Sequence, residues 1–342
     1  MSTPLLGSEL PIVAAPMAGG PTTPALVRAA LGAGAFAFLA AGYKTPDALA
    51  REIAEVRAVR RPFGVNLFVP SRHPVDAAAF AGYAAELAPE AAAYGVELDP
   101  TPVRDDDRWD EKIALLVADP VPVVSLTFGL PGAEDIRALR AVGTRVIASV
   151  TTPDEAAEAA AAGVDGLVVQ GAGAGGHSAT FDPTVDPADM PLPELVRRVR
   201  ARVDLPIVAA GGVHTPPQVR ELLAAGAIGA AVGTALLRTD EAGTAPAHRA
   251  ALADEAFTET VITRAFTGRP ARALRNGFTR RHPEAPSAYP AVHHLTRALR
   301  QAAAAAGDTD RLHLWAGIAW HAARTGPAAE VLRHLAGADG SI

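Results

Sequence analysis

A histidine at the end of a glycine-rich stretch is the residue of this sequence best suited to proton transfer. The stretch runs from Gln170 to His177 and reads QGAGAGGH. An unperturbed histidine has a pKa of about 6.5, so it can give and take protons near neutral pH. No carboxylate lies in the stretch to compete for this role. We therefore predict that His177 is catalytic; the alternative is a histidine in a surface loop.

Amide side chains and glycines follow several of the apolar segments described next. Asn66 and Gln170 carry amides, which can donate and accept hydrogen bonds at the edge of a heteroaromatic ring. Gly212 and Gly233 would leave backbone N–H groups open to a phosphate. Together these residues predict a site for a large, polar-edged cofactor. The alternative is that the glycines only form tight turns.

Eight short apolar segments alternate with alanine-rich helical stretches and would position these residues. The segments are residues 11–17, 35–41, 63–68, 122–128, 145–150, 165–171, 206–212 and 229–235. They are almost continuously apolar, as expected of parallel strands that are covered on both faces. Thr45 and Thr152 each precede a proline, which is typical of a helix start. Eight such cycles predict an α/β fold, a closed (β/α)8 TIM barrel with its active site at the carboxyl ends of the strands.

Two regions depart from this alternation. We predict a helical insertion at about residues 71–120 and a cofactor-binding barrel that spans residues 1–256. Residues 257–342 are predicted to form a helical lobe over the barrel mouth that covers the substrate. In this lobe Tyr289, His293 and Arg297 are spaced by four residues and would share one helix face. We predict that this face binds substrate, with Arg297 attracting an anion; the alternative is a solvated face.

The composition excludes several classes of protein and site. The 342 residues carry a net charge of −6 at pH 7 and no basic run, which argues against a nucleic-acid partner. The chain has no cysteine, so a thiol nucleophile, a disulfide and a cysteine-linked flavin are excluded. No HExxH motif occurs, and we predict no metal. The sequence lacks a signal-peptide pattern and any apolar segment of spanning length, which predicts a cytoplasmic protein without a membrane partner.

The sequence resembles the nitronate monooxygenases, formerly called 2-nitropropane dioxygenases, over nearly its whole length. The motifs PIVAAPMAGG, FGVNLF, VVSLTFGLP, QGAGAGGH, IVAAGGV and AVGTALL occur in the order that the family shows. The tail is similar as well, with TRAFTGRPARALRN, APSAYPAVHHLT and LHLWAG. Each motif alone is unspecific, and their shared order carries the resemblance.

The resemblance implies a flavoprotein that binds FMN without a covalent bond and acts as an oxidoreductase. The implied reaction is oxidative denitrification, in which a nitronate and O2 give a carbonyl compound and nitrite. The implied substrate is a small anionic nitronate, with neutral nitroalkanes left open, and His177 is the implied base or substrate-orienting group. A monomer and a homodimer both remain open. The residues implied to contact FMN are Met17, Asn66, Gln170, Gly175, Gly212, Ala231, Val232, Gly233 and Thr234.

Three residues depart from the pattern of this family. Gly173 stands where glutamate is usual, Ala179 stands where a second glycine is usual, and Thr127 stands where some relatives carry histidine. These departures bear on the identity of the substrate more than on the fold or the flavin site. Two alternatives stay open: an FMN- and NAD(P)H-dependent enoyl-thioester reductase, and a flavin-binding protein without turnover.

Overall fold

The computed structural model describes residues 5–338, and a closed barrel of parallel strands forms its centre. The strands, in chain order, are β1 (Ile12–Ala14), β2 (Phe36–Ala40), β3 (Gly64–Phe68), β4 (Val123–Thr127), β5 (Arg145–Val150), β6 (Gly166–Gln170), β7 (Gly176–His177), β8 (Ile207–Ala210), β9 (Gly229–Val232), β10 (Thr260–Thr263) and β11 (Ala271–Leu274). The barrel consists of β1 to β6, β8 and β9, and β9 pairs with β1 to close it. All eight predicted barrel strands are therefore confirmed.

Twelve α-helices lie among the described residues, and those that follow the barrel strands bury the outer faces of the strands. They are α1 (Pro24–Gly32), α2 (Pro46–Arg57), α3 (Ala77–Ala92), α4 (Trp109–Ala118), α5 (Ala133–Ala141), α6 (Pro153–Ala161), α7 (Leu192–Arg202), α8 (Pro216–Ala224), α9 (Pro246–Ala251), α10 (Gly277–Arg281), α11 (Ala291–Ala305) and α12 (Ala328–Leu335). Among residues 5–338, no helix is both long enough and apolar enough to cross a membrane.

Four of these helices begin with a threonine that is followed by proline. The threonine side chain accepts a hydrogen bond from a backbone N–H of the first turn, and the proline has no N–H to leave unpaired. Thr45 and Thr152 were predicted in this role from the sequence, and both predictions are confirmed. The other two threonines are Thr23 and Thr215.

The inside of the barrel is filled with side chains at one end and open at the other. Phe36, Phe38, Val123, Ile147 and Val208 belong to one buried cluster inside the barrel. Past these residues the strands end, and the chain turns away from the sheet. Most barrel strands are shorter than predicted, and residues 15–17 and 211–212, which were predicted to lie in strands, line the open end.

The tail contains strands as well as the predicted helices. β10 and β11 form an antiparallel pair, and β11 pairs on its other side with β7, so that Ala271 lies opposite His177. The sequence predicted helices alone in this tail and did not predict β10 or β11. The segment Thr260–Thr263 reads TVIT and is rich in β-branched residues, which favour strands. This small sheet ties the tail to the glycine-rich stretch.

The predicted insertion divides into two parts with different neighbours. Helix α4 packs in the barrel layer through Trp109, Ile113 and Leu116. Helix α3 instead forms a second hydrophobic core with the tail. In this core Phe80 and Leu87 of α3 pack with four residues of the tail: Phe266, Phe278, Val292 and Leu295. Helix α12 returns to the barrel and packs against α1 and β1. The tail therefore packs against α3 and also completes the outer layer of the barrel.

Candidate functional site

A cavity of about 690 Å³ lies at the open end of the barrel. Barrel strands contribute Asn66, Thr127 and Gln170 to its wall, and the tail contributes Arg297 and Trp315. Its size lies within the range of about 300–1,000 Å³ that is typical of ligand sites. Its location at the carboxyl ends of the strands is that of the active site in (β/α)8 enzymes.

His177 lies in the wall of this cavity, on β7. Its Nε2 is 2.9 Å from Oγ1 of Thr267. Three aromatic rings surround the imidazole: the ring centroids of Phe128 and Tyr289 are each 5.6 Å away, and that of Trp315 is 5.4 Å away. No carboxylate contacts the ring among the described residues. The site therefore holds His177 through one hydroxyl and an aromatic cage.

The surroundings of His177 keep its imidazole neutral. Burial lowers the pKa of His177 to about 3, and the nearby charges of Arg269 and Arg300 contribute in the same direction. Arg269 is itself buried and donates to the carbonyl oxygens of Ser178 and Thr180. Because Ser178 and Thr180 directly follow the histidine, Arg269 also fixes the path of the chain at this point.

Arg300 is a second buried arginine and lies in the cavity wall. It donates from Nε to Oγ1 of Thr296 at 3.0 Å and from an NH2 nitrogen to the carbonyl of His293 at 2.9 Å. Its other neighbour is the ring of His313. Burial lowers the pKa of His293 to about 2 and that of His313 well below its usual value, so both rings are neutral. Among residues 5–338, therefore, no anionic side chain pairs with Arg300.

The three residues predicted to share a helix face do not all lie on a helix. Helix α11 begins at Ala291, so it contains His293 and Arg297, which both line the cavity. Tyr289 lies before the helix, because Pro290 disfavours a helical conformation at the preceding residue. Tyr289 nevertheless reaches the site, where it contacts His177. Arg297 is exposed and has no ion-pair partner among residues 5–338.

A tyrosine that the sequence analysis did not identify completes this wall. The ring of Tyr43 stacks on that of His293 with centroids 4.4 Å apart, and its hydroxyl is 3.3 Å from that of Tyr289. Tyr43 has a left-handed backbone with a φ of 66°, and its N–H donates to Asp107, which pairs with the buried Lys112. Burial raises the pKa of Tyr43 to about 12, so its hydroxyl stays protonated.

The predicted phosphate site is built from two glycine turns and a piece of the tail. Gly175, Gly212 and Gly233 line the cavity, and their backbone N–H groups have no hydrogen-bond partner among residues 5–338. The N–H of Gly317 donates to Oγ1 of Thr234 at 2.9 Å. A Cβ at position 175 would lie 2.5 Å from the nitrogen of Gly317, so only glycine fits there. Unpaired N–H groups of glycines suit a phosphate, because a glycine has no side chain of its own to block the approach.

The two predicted amides have different surroundings. Asn66 donates from Nδ2 to Ser125 Oγ and to Thr127 Oγ1, each at 2.9 Å, which leaves its Oδ1 free to accept. Gln170 is occupied at both ends by the chain itself: Oε1 accepts from Ala179 N at 2.8 Å, and Nε2 donates to the His177 carbonyl. Asn66 is therefore available to a flavin ring, whereas Gln170 shapes the glycine-rich stretch, and its contact with a cofactor stays a prediction.

The remaining predicted cofactor residues, Met17, Ala231, Val232 and Thr234, also line the cavity.

The structure shows what two of the departures from the family pattern contact. Thr127 orients Asn66, as described above. Gly173 leaves room for Ile318 of the tail, since a Cβ at position 173 would lie 3.0 Å from Ile318 Cδ1.

Several residues of the site were missed from the sequence. They are Tyr43, Phe128, Thr267, Arg269, Arg300, His313, Trp315 and Gly317. All but Tyr43 and Phe128 lie in the tail. The tail motifs that resemble the family contain five of these residues, so the resemblance was the available signal for them: Thr267, Arg269, His313, Trp315 and Gly317.

Comparisons with known proteins show the family to which the chain belongs. Residues 4–337 match the family model described as nitronate monooxygenase. The chain is 37% identical to a nitronate monooxygenase of Paraburkholderia phytofirmans, covering 97% of this chain and 93% of that protein. It is 38% identical to a nitronate monooxygenase of Pseudomonas aeruginosa, with 97% of both chains covered.

Solved structures of other proteins also resemble this chain over nearly its whole length. Nitroalkane oxidase from Streptomyces ansochromogenes superposes with a TM-score of 0.92 at 49% identity, covering 96% of this chain and 95% of that one. FabK from Thermotoga maritima superposes with a TM-score of 0.73 at 25% identity, covering 97% of this chain and 93% of that one. Since the family match extends over nearly the whole chain and the relatives exceed 30% identity, the protein belongs to the nitronate monooxygenase family of flavin-dependent oxidoreductases.

Proposed function

We propose that the protein binds FMN and oxidises small alkyl nitronates with O2 to a carbonyl compound and nitrite. The observation that carries this proposal is the pairing of a neutral His177 with the unbalanced charge of Arg300 in one cavity. A nitronate is an anion, and buried positive charge that has no partner in the protein favours an anionic ligand. Neutral nitroalkanes are a second candidate, because the Streptomyces relative is called a nitroalkane oxidase.

FMN would supply the redox chemistry, and the chain would bind and orient it. The unpaired N–H groups of Gly175, Gly212 and Gly233 would hold its phosphate. Met17 would line the flavin ring, and the free Oδ1 of Asn66 would accept a hydrogen bond from the polar ring edge. The glycine-rich stretch and the residues of the tail that lie against it would enclose the ligand on the side away from the barrel.

The residues of the substrate side act through hydrogen bonding and charge. His177 stays neutral and offers one ring nitrogen to the substrate. Arg297 at the rim attracts the anion, while Arg300 stabilises it inside the cavity. Tyr289 and His293 complete the wall through their contacts with His177 and Tyr43. A cytoplasmic location and a homodimer stay predictions.

The test is to mix FMN-loaded protein, without oxygen, with propionate 3-nitronate and separately with NADPH. We expect the nitronate to bleach the flavin absorbance and nitrite to appear once oxygen is admitted. Bleaching by NADPH together with no response to the nitronate would instead support the enoyl-thioester reductase. No response to either compound would support a flavin-binding protein without turnover.

Replacing Arg297 with methionine is expected to raise KM for an anionic nitronate about fivefold and to leave kcat nearly unchanged. The reason is that a rim charge mainly accelerates the encounter with an ion of opposite charge. Salt screens this attraction, so the difference from the wild-type protein should shrink as ionic strength increases. Steady-state nitrite release measures both constants. Arg51→Met is the matched control, because Arg51 is exposed on α2 and does not line the cavity; equal KM values for the two variants would refute the role of Arg297.

A further inference from the structure

The His177 ring has one polar contact, and this contact determines which of its nitrogens a ligand meets. Nε2 is 2.9 Å from Oγ1 of Thr267. Nδ1 has no hydrogen-bond partner among residues 5–338, and His177 lines the cavity. Nδ1 is therefore the ring nitrogen that is available to a bound ligand.

Thr267 is held firmly in the turn between β10 and β11. Its N–H donates to the carbonyl of Arg264 at 3.2 Å, and its side chain is buried. The next residue, Gly268, has a φ of 77°, and a Cβ there would lie 2.7 Å from the backbone of Ala288. The turn is thus fixed against the backbone at Ala288, and the burial of Thr267 keeps bulk water away from its hydroxyl.

The hydroxyl hydrogen of Thr267 has two acceptors at unequal distances. The carbonyl of Arg269 is 3.5 Å from Oγ1, whereas Nε2 of His177 is 2.9 Å away. If Nε2 carried the hydrogen and donated to Oγ1, the hydroxyl hydrogen would be left with only the carbonyl at 3.5 Å, beyond the range of about 2.5–3.0 Å for a hydroxyl donor. The arrangement that uses the nearer acceptor has Oγ1 donate to Nε2. A ring nitrogen that accepts carries no hydrogen, and a neutral imidazole then has its hydrogen on Nδ1. The neutral state itself follows from the burial of His177 and the nearby arginines, as described above.

We propose that Thr267 is a positioning residue whose hydroxyl donates to Nε2 of His177 and so directs Nδ1–H toward an oxygen of the substrate anion. The identity of that anion as a nitronate rests on the proposed function. In this state His177 gives the nitronate a hydrogen-bond donor and gives a neutral nitroalkane no base. His177 therefore favours the nitronate over its conjugate nitroalkane.

The first test reads the position of the hydrogen directly by NMR. FMN-loaded protein labelled with ¹⁵N-histidine is compared with its His177→Gln variant, whose missing signals identify those of His177. We expect a protonated, pyrrole-type shift for Nδ1 and a pyridine-type shift for Nε2. The Thr267→Ser variant should keep this pattern, and Thr267→Val should lose it. The reverse pattern in the wild-type protein would overturn the proposal and would make Nδ1 a base suited to neutral nitroalkanes.

The second test measures the kinetic effect of the hydroxyl. Thr267→Val is expected to lower kcat/KM for the nitronate about 3- to 10-fold, the loss of roughly one hydrogen bond. Thr267→Ser should restore it to within about twofold. An unchanged kcat/KM in Thr267→Val would show that the hydroxyl has no role and would overturn the proposal. A loss in Thr267→Ser as large as that in Thr267→Val would show that the hydroxyl alone does not restore kcat/KM, and would also overturn it. The NMR pattern does not depend on turnover. If the protein did not react with nitronates, the proposed function would be refuted, and the NMR spectrum would still show which ring nitrogen carries the hydrogen.

Discussion

Alanine at position 175 is expected to abolish tight cofactor binding, whereas alanine at position 173 is expected to be tolerated. The added Cβ at position 175 would lie 2.5 Å from the nitrogen of Gly317 and 2.6 Å from the carbonyl carbon of Ala316. Both neighbours are backbone atoms, so the glycine-rich stretch or the tail must move. Such a shift would remove N–H groups from the predicted phosphate site. Each charge-assisted hydrogen bond contributes about 1.5–3 kcal/mol, so the Kd for FMN should rise about 100-fold or more.

The matched control lies two residues away in the same stretch. A Cβ at position 173 meets the far end of the Ile318 side chain, which can rotate away. We therefore expect Gly173→Ala to bind FMN with a Kd within about threefold of the wild-type value. Titration of flavin fluorescence gives both constants. Equal binding by Gly175→Ala and the wild-type protein would show that the cofactor phosphate lies elsewhere.

Replacing His177 with alanine is expected to lower kcat/KM for a nitronate about 10- to 100-fold. The reason is that the substrate anion loses a hydrogen-bond donor in a buried site, where a bond to a charged group contributes about 1.5–3 kcal/mol. FMN should remain bound, because the predicted phosphate site is built from backbone groups of other residues. Nitrite release at low nitronate concentration measures the loss.

The control for this change is an exposed histidine outside the cavity. His73 is exposed and lies before α3, so His73→Ala should keep the wild-type kcat/KM. An unchanged kcat/KM in His177→Ala would remove His177 from the mechanism. A loss of bound FMN in that variant would instead assign the histidine to cofactor binding.

The barrel could be predicted from the sequence because its signals are local. Each strand is a short, continuous apolar segment, and each helix that follows has its own start, as at Thr45 and Thr152. The carboxyl ends of parallel strands meet at one end of a barrel, so the position of Asn66 and Gln170 near the cavity followed from the order of elements alone. These features need no knowledge of which distant segments touch.

The tail could not be predicted in the same way because its structure depends on long-range contacts. β11 pairs on one side with β10 and on the other with β7, which lies more than ninety residues earlier in the chain. The contact of His177 with Thr267 spans 90 residues and has no local pattern. Tyr289 was placed on a helix by its spacing, but Pro290 delays the start of α11. Arg300 was not predicted as a site residue, because an arginine on a helix usually faces solvent. In the structure this arginine is buried.

The contact between the tail and the glycine-rich stretch has a consequence for how the protein acquires its flavin. A chain is synthesised from its amino terminus, so all eight barrel strands leave the ribosome before Trp315 and Gly317 do. Gly317 bonds Thr234, and Ile318 bonds the carbonyl of Gly173, so both contacts are missing from a nascent barrel. We therefore expect the nascent chain to stay without flavin until its last segments are released. Maturation then becomes a post-translational event that responds to the free FMN concentration in the cell.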